Sequence, residues 1–135
     1  MRAILVQEGK TVDLYVLDNN GENIINDFFE NKLIKNQHKT ILAGFKKVNN
    51  AILENGYYGI PPEQFKCWKE KKKKEIFEII KGSFRILCFK YDGGKKLLLV
   101  KHIVKKRNKE KKEYQHAINM NETFKQNQIW EQKND

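Results

Sequence analysis

A chain of 135 residues with 39% hydrophobic residues can build one core, which predicts a single domain rather than two. Lys and Arg outnumber Asp and Glu by 27 to 17, and the resulting net charge of +10 and pI near 9.5 point to a polyanionic partner without naming a reaction. No apolar run approaches the roughly 18 residues of a membrane span, the start Arg2-Ala-Ile-Leu-Val-Gln-Glu8 is interrupted too soon for a signal peptide, and two cysteines, Cys67 and Cys88, are too few for a disulfide scaffold and lack partners at metal-ligand spacing, so the expectation is a soluble, cytoplasmic chain with packed thiols and neither metal nor cofactor.

In chain order, residues 2–7 and 12–17 read as two short strands joined through Glu8-Gly9-Lys10, a hairpin pattern. Asp18-Asn19-Asn20-Gly21 is turn chemistry, and the apolar residues Ile24, Ile25, Phe28, Phe29 and Leu33 that follow recur at helical spacing. A second helix is predicted over about 37–54, with the stripe Ile41, Leu42, Phe45, Val48, Ile52 and Leu53 and a stop at Gly56. After Gly59-Ile-Pro-Pro62 the pattern turns to strands: Phe65 to Trp68, Glu75 to Ile80, Phe84 to Phe89 after the Lys81-Gly82-Ser83 turn, and Lys96 to Val104 after Asp92-Gly93-Gly94. The last two strands are apolar on both parities, so both sheet faces should be covered. A final helix at about 109–124 carries Tyr114, Ala117, Ile118 and Phe124. The expectation is one domain over 1–125, of α+β class, with a helical pair packed on the sheet, followed by a polar tail over 126–135.

The charge is concentrated. Residues 66–112 hold 18 Lys and Arg against five Asp and Glu, a net +13, while the rest of the chain is slightly acidic, so the second half is expected to meet the polyanion. A solvated lysine-rich surface is the competing reading. Only Arg2, Arg85 and Arg107 are arginine; a planar fork grips phosphate through two bonds as lysine cannot, which singles out Arg85 and Arg107. The run Lys71-Lys72-Lys73-Lys74 suits an exposed loop that clamps phosphates collectively. No phosphate-binding glycine loop, Ser-His-Asp signature, His-Glu-X-X-His pair or acidic metal cluster is present, which leaves cation-driven chemistry. Lys101-His102-Ile-Val-Lys105-Lys106-Arg107 places a histidine and four cations at the end of a strand; Lys101 and His102 should point to opposite faces and share a pocket only if the edge is bent or bulged. A structural histidine at a sheet edge is the alternative.

The series Glu75-Ile-Phe-Glu-Ile-Ile-Lys-Gly-Ser-Phe-Arg85-Ile, Leu97-Leu-Leu-Val-Lys-His102-Ile-Val-Lys105-Lys106-Arg107 and Lys112-Glu-Tyr-Gln-His-Ala117 resembles the RelE/HigB family of type II toxins, within the RelE/ParE superfamily, and the stretch from Asp18-Asn-Asn-Gly21 through Phe28-Phe29 and the long helix to Gly56 is similar to the helical hairpin of the HigB-like branch. The resemblance implies an antiparallel twisted sheet with an N-terminal helical pair and a C-terminal helix. It also implies ribosome-dependent, metal-independent cleavage of mRNA, neutralised by a cognate antitoxin protein. Carried over, Arg85 matches the family's Arg-Ile position, His102 its Leu-Leu-His position, and Lys105, Lys106 and Arg107 its Lys-Lys turn, so Arg85, His102, Lys106 and Arg107 are the expected catalytic set; the basic residues around them, Lys71, Lys72, Lys73, Lys74, Lys81, Lys101 and Lys105, together with Trp68 and Tyr114, are expected to bind RNA. Ile80 stands where the family often has arginine, and neither a Thr after the Lys pair nor an aromatic after His102 is present.

Such cleavage needs a base for the 2′-hydroxyl, cations for the pentavalent phosphate and an acid for the 5′-oxygen. His102 titrates near working pH and suits acid or base; Arg85 and Arg107 suit the phosphate; Glu78 and Tyr114 are weaker acid-base candidates, and Trp68 or Tyr91 suit base stacking. The alternative is a relative without nuclease activity, either a gyrase-targeting toxin or a basic nucleic-acid-binding module.

Overall fold

The computed structural model describes residues 1–30, 39–68, 76–105 and 111–132. Seven strands form one sheet in the order β3-β4-β5-β6-β2-β1-β7. The hairpin of β1 (Arg2–Gln7) and β2 (Asp13–Asp18) lies at one side. β3 (Phe65–Trp68), β4 (Ile76–Lys81), β5 (Phe84–Tyr91) and β6 (Lys96–Val104) form an antiparallel meander at the other. Two longer helices, α1 (Lys39–Asn55) and α2 (Lys111–Gln126), pack on opposite faces.

The antiparallel sheet with an N-terminal helical pair is corrected on two counts. The sheet is mixed: β2 runs parallel to β6, with Asp13 to Val16 opposite Lys96 to Leu99, and β7 (Trp130–Glu131) runs parallel to β1. Strand periodicity carries no direction. The long stretch between β2 and β6 supplies the crossover a parallel pair needs, and that closure is a long-range choice. The first predicted helix is a five-residue π-helical turn, Ile25–Phe29, closed by the Glu30 N–H donating to the Ile25 carbonyl at 2.7 Å. Its asparagines tie it to the preceding loop instead of extending it: the Asn26 N–H donates to Asn23 Oδ1 at 3.1 Å, and Asn26 Nδ2 donates to the Gly21 carbonyl at 3.1 Å. Leu33, expected on the same helix, lies outside the described residues.

β5 and β6 are central, which is why both of their faces are apolar. On one face Phe28, Phe45, Val48, Ile52, Ile79, Ile86, Leu97 and Leu99 form a core beneath α1 and the π-helical turn. On the other, Leu87, Leu98, Val100, Ile103, Tyr114, Ala117 and Phe124 form a second core beneath α2. Gly44 lets α1 approach β4: a Cβ there would lie 2.6 Å from Lys81 Cδ, so the stem of Lys81 lies along α1. The tail is not wholly free, because the Ala3 N–H donates to the Ile129 carbonyl at 2.8 Å and Trp130 packs edge-on against Tyr15, Tyr91 and Phe124. Neither cysteine forms a disulfide.

Candidate functional site

The β2–β6 pairing stops at Val16 opposite Leu99, so β6 runs on past its neighbour. A cleft of about 350 Å³ opens beside that free stretch. It is walled by Val100, Lys101 and His102 of β6, by Glu22, Asn23 and Asp27 from the loop and π-helical turn, and by His116 and Met120 of α2.

A bulge decides which way the β6 side chains point. Leu99 opposes Cys88, but Lys101 opposes Leu87, leaving Val100 as the extra residue. Without it His102 would face α2. With it Lys101 turns to α2, while His102 opposes Ile86 and turns to the α1 face. The two side chains still leave opposite faces of the strand, yet both line the cleft because it sits at the strand's open edge.

The His102 ring stacks on Phe28 at 4.5 Å and 27°. Burial pulls its pKa below the ordinary 6.5, opposed by the charge of Asp27 and reinforced by Lys101, so the imidazole is neutral at pH 7 and able to accept a proton. Lys101 is held from α2: its Nζ lies 2.5 Å from Glu113 Oε2 and 2.7 Å from His116 Nδ1. The hydrogen bond from Lys101 holds the Glu113 carboxyl below the usual carboxylate range, with the charge of Lys101 adding to it. Glu113 and His116 meet Lys101 together because residues three apart share a helix face. That spacing was in the sequence, and it is the signal by which His116 could have been found. Asp27 and Asn23 carried no comparable signal.

Arg85 stands apart from this cleft. It opposes Ile80 and Ile103 on the α2 face, whereas His102 is on the other face, so the sheet separates the two. Its Nη1 donates to the Gly82 carbonyl at 2.6 Å and the Phe84 carbonyl at 3.0 Å, and its Nε is 3.8 Å from Glu78 Oε1. Glu78 is fully buried and accepts a hydrogen bond from the Tyr114 hydroxyl, and Trp68 stacks on the Tyr114 ring at 4.5 Å and 17°. Arg85, Glu78, Tyr114 and Trp68 are therefore one packed cluster under α2. The Tyr91 ring is engaged by Phe124 and Trp130, and its hydroxyl donates to Asn121 Oδ1; burial pushes its pKa up to about 12. Lys81 lies on the α1 side, and Lys105 follows β6, its N–H donating to the Ser83 carbonyl at 2.7 Å. Lys71, Lys72, Lys73, Lys74, Lys106 and Arg107 lie outside the described residues.

Among the described residues no group of three or more His, Cys, Asp and Glu side chains is placed to hold a metal ion, and no helix is long and apolar enough to cross a membrane. No family model, curated protein or solved structure matches this chain.

Proposed function

We propose that the chain is a metal-independent endoribonuclease working through the cleft beside β6 and, on its motif resemblance, the toxin of a type II toxin-antitoxin pair that cuts mRNA on the ribosome in the cytoplasm. The observation that carries the reading is a half-buried, neutral imidazole, His102, stacked on Phe28 in the wall of a cleft that also holds Lys101 and His116. A neutral imidazole there takes the proton of a 2′-hydroxyl; the freed oxygen attacks phosphorus, the bond to the 5′-oxygen breaks, and that oxygen takes a proton back from the imidazolium or solvent. Lys105, Lys106 and Arg107 follow His102 in the sequence and are the proposed phosphate ligands, on a half of the chain whose +13 charge suits RNA. The same charge suits an acidic antitoxin segment that covers the cleft.

A binding module without cleavage has one observation in its favour: Arg85, one of the two arginines suited to a phosphate fork, uses Nη1 on the carbonyls of its own turn. The deciding experiment is induced expression in a bacterium lacking antitoxin, with growth and mRNA ends followed for the native chain, His102→Ala and Arg85→Ala. Growth arrest with new ends inside translated messages, lost in a folded His102→Ala variant, is the expected result. Arrest without new ends moves the target elsewhere, with gyrase the first to assay. RNA retained on a gel but uncut makes the protein a binding module.

A further inference from the structure

Lysine donates and cannot accept, so the 2.7 Å contact from Lys101 Nζ makes Nδ1 of His116 the acceptor. That contact selects the tautomer that carries its proton on Nε2. Lys101 is itself anchored by Glu113 at 2.5 Å, so its charge is used to polarise the imidazole rather than left free for RNA. His116 lines the same cleft as His102, from the opposite side of β6, and Nε2 is the nitrogen left for a ligand. Asp27 and Glu22 occupy the loop wall of that cleft and repel a phosphate toward the α2 wall, where His116 stands.

We infer that His116 is a second catalytic imidazole of the cleft, donating a hydrogen bond from Nε2–H to a non-bridging oxygen of the scissile phosphate, with Lys101 and Glu113 as its positioning residues. This rests on the ribonuclease reading and divides the labour within it. His102 moves the proton; His116 moves none and steadies the charge that grows on the phosphate oxygens in the pentavalent state. A donor aimed at developing charge acts on kcat more than on binding. Lys101 is thereby reassigned from direct RNA contact to holding a ring.

The test pairs kinetics with a readout that needs no activity. Purified chain is assayed on ribosomes programmed with a short mRNA. His116→Ala and His116→Asn are expected to lose about 100-fold in kcat with little change in KM, while His116→Gln, whose amide nitrogen reaches the Nε2 position, retains cleavage within about tenfold. Nitrogen-15 NMR of the imidazoles is expected to show His116 in the Nε2–H tautomer, and mixed tautomers in Lys101→Met. Full activity in His116→Ala beside an inactive His102→Ala overturns the inference and leaves the ribonuclease reading standing, as does an Nδ1–H tautomer in the native chain. A native chain that cuts no mRNA overturns both.

Discussion

Asp18 is 2% exposed yet remains a carboxylate, and the reason shapes the cleft. Burial alone would raise its pKa; hydrogen bonds from Asn23 Nδ2, the Gly21 N–H and the Arg2 guanidinium outweigh that and hold it below the usual carboxylate range. Those bonds fix the loop that presents Asn23 and Asp27 to the cleft. A carboxyl with a depressed folded pKa adds stability at neutral pH that is lost as pH falls through about 4 and below. Asp18→Asn is therefore expected to melt lower than the native chain at pH 7, with the gap narrowing toward pH 3, as thermal unfolding at the two pH values would show. His102 acts in the same direction at higher pH. Its imidazole is buried against Phe28 and resists protonation, so the folded state binds fewer protons than the unfolded one and stability declines as pH drops below about 6.5. A His102→Gln variant is expected to lose that decline between pH 7.5 and 5.5; a persisting decline would assign it to another group.

At the scale of elements, the shortest strand has the largest consequence for the termini. β7 has only two residues, but Trp130 meets Tyr15, Tyr91 and Phe124 at ring separations of 4.8, 5.2 and 5.2 Å, and Lys96 Nζ lies 4.5 Å above its ring. Removing an aromatic anchor of this kind costs about 3 kcal/mol, at the low end for a ring that is only partly buried. Trp130→Ala, or a chain ending at Gln128, should lower the unfolding free energy measured by urea denaturation by that amount. The segment reads as a polar tail because one tryptophan among polar neighbours has no period; its partners are supplied by β1, β2, β5 and α2. The π-helical turn has the opposite history. Ile24, Phe28 and Phe29 have helical spacing and do reach the core, but the asparagines around them bond to the loop, and a single turn suffices to deliver the apolar side chains.

At the scale of the whole molecule, the +13 carried by residues 66–112 should make RNA binding fall steeply with salt, with a slope near −0.7 per phosphate contacted on a single strand. Affinity for a ribo-oligomer measured from 50 to 200 mM salt is expected to give a slope steeper than about −2, and a flat plot would mean that the basic surface is merely solvated. Composition and periodicity alone determined the single small basic chain, the strand and helix segments of the second half, the cover on both faces of its central strands, and His102 as a residue to examine, because these depend on residue type and on spacing within a few turns. Only the tertiary structure decided the parallel joint between β2 and β6, the docking of β7, the bulge at Val100 that turns His102 toward Phe28, the separation of Arg85 from His102 by the sheet, and the meeting of Lys101 with Glu113 and His116. Each of these is a contact between residues distant in the chain, and a local pattern specifies which face of an element is apolar but not which element arrives to cover it, from which direction, or in what register.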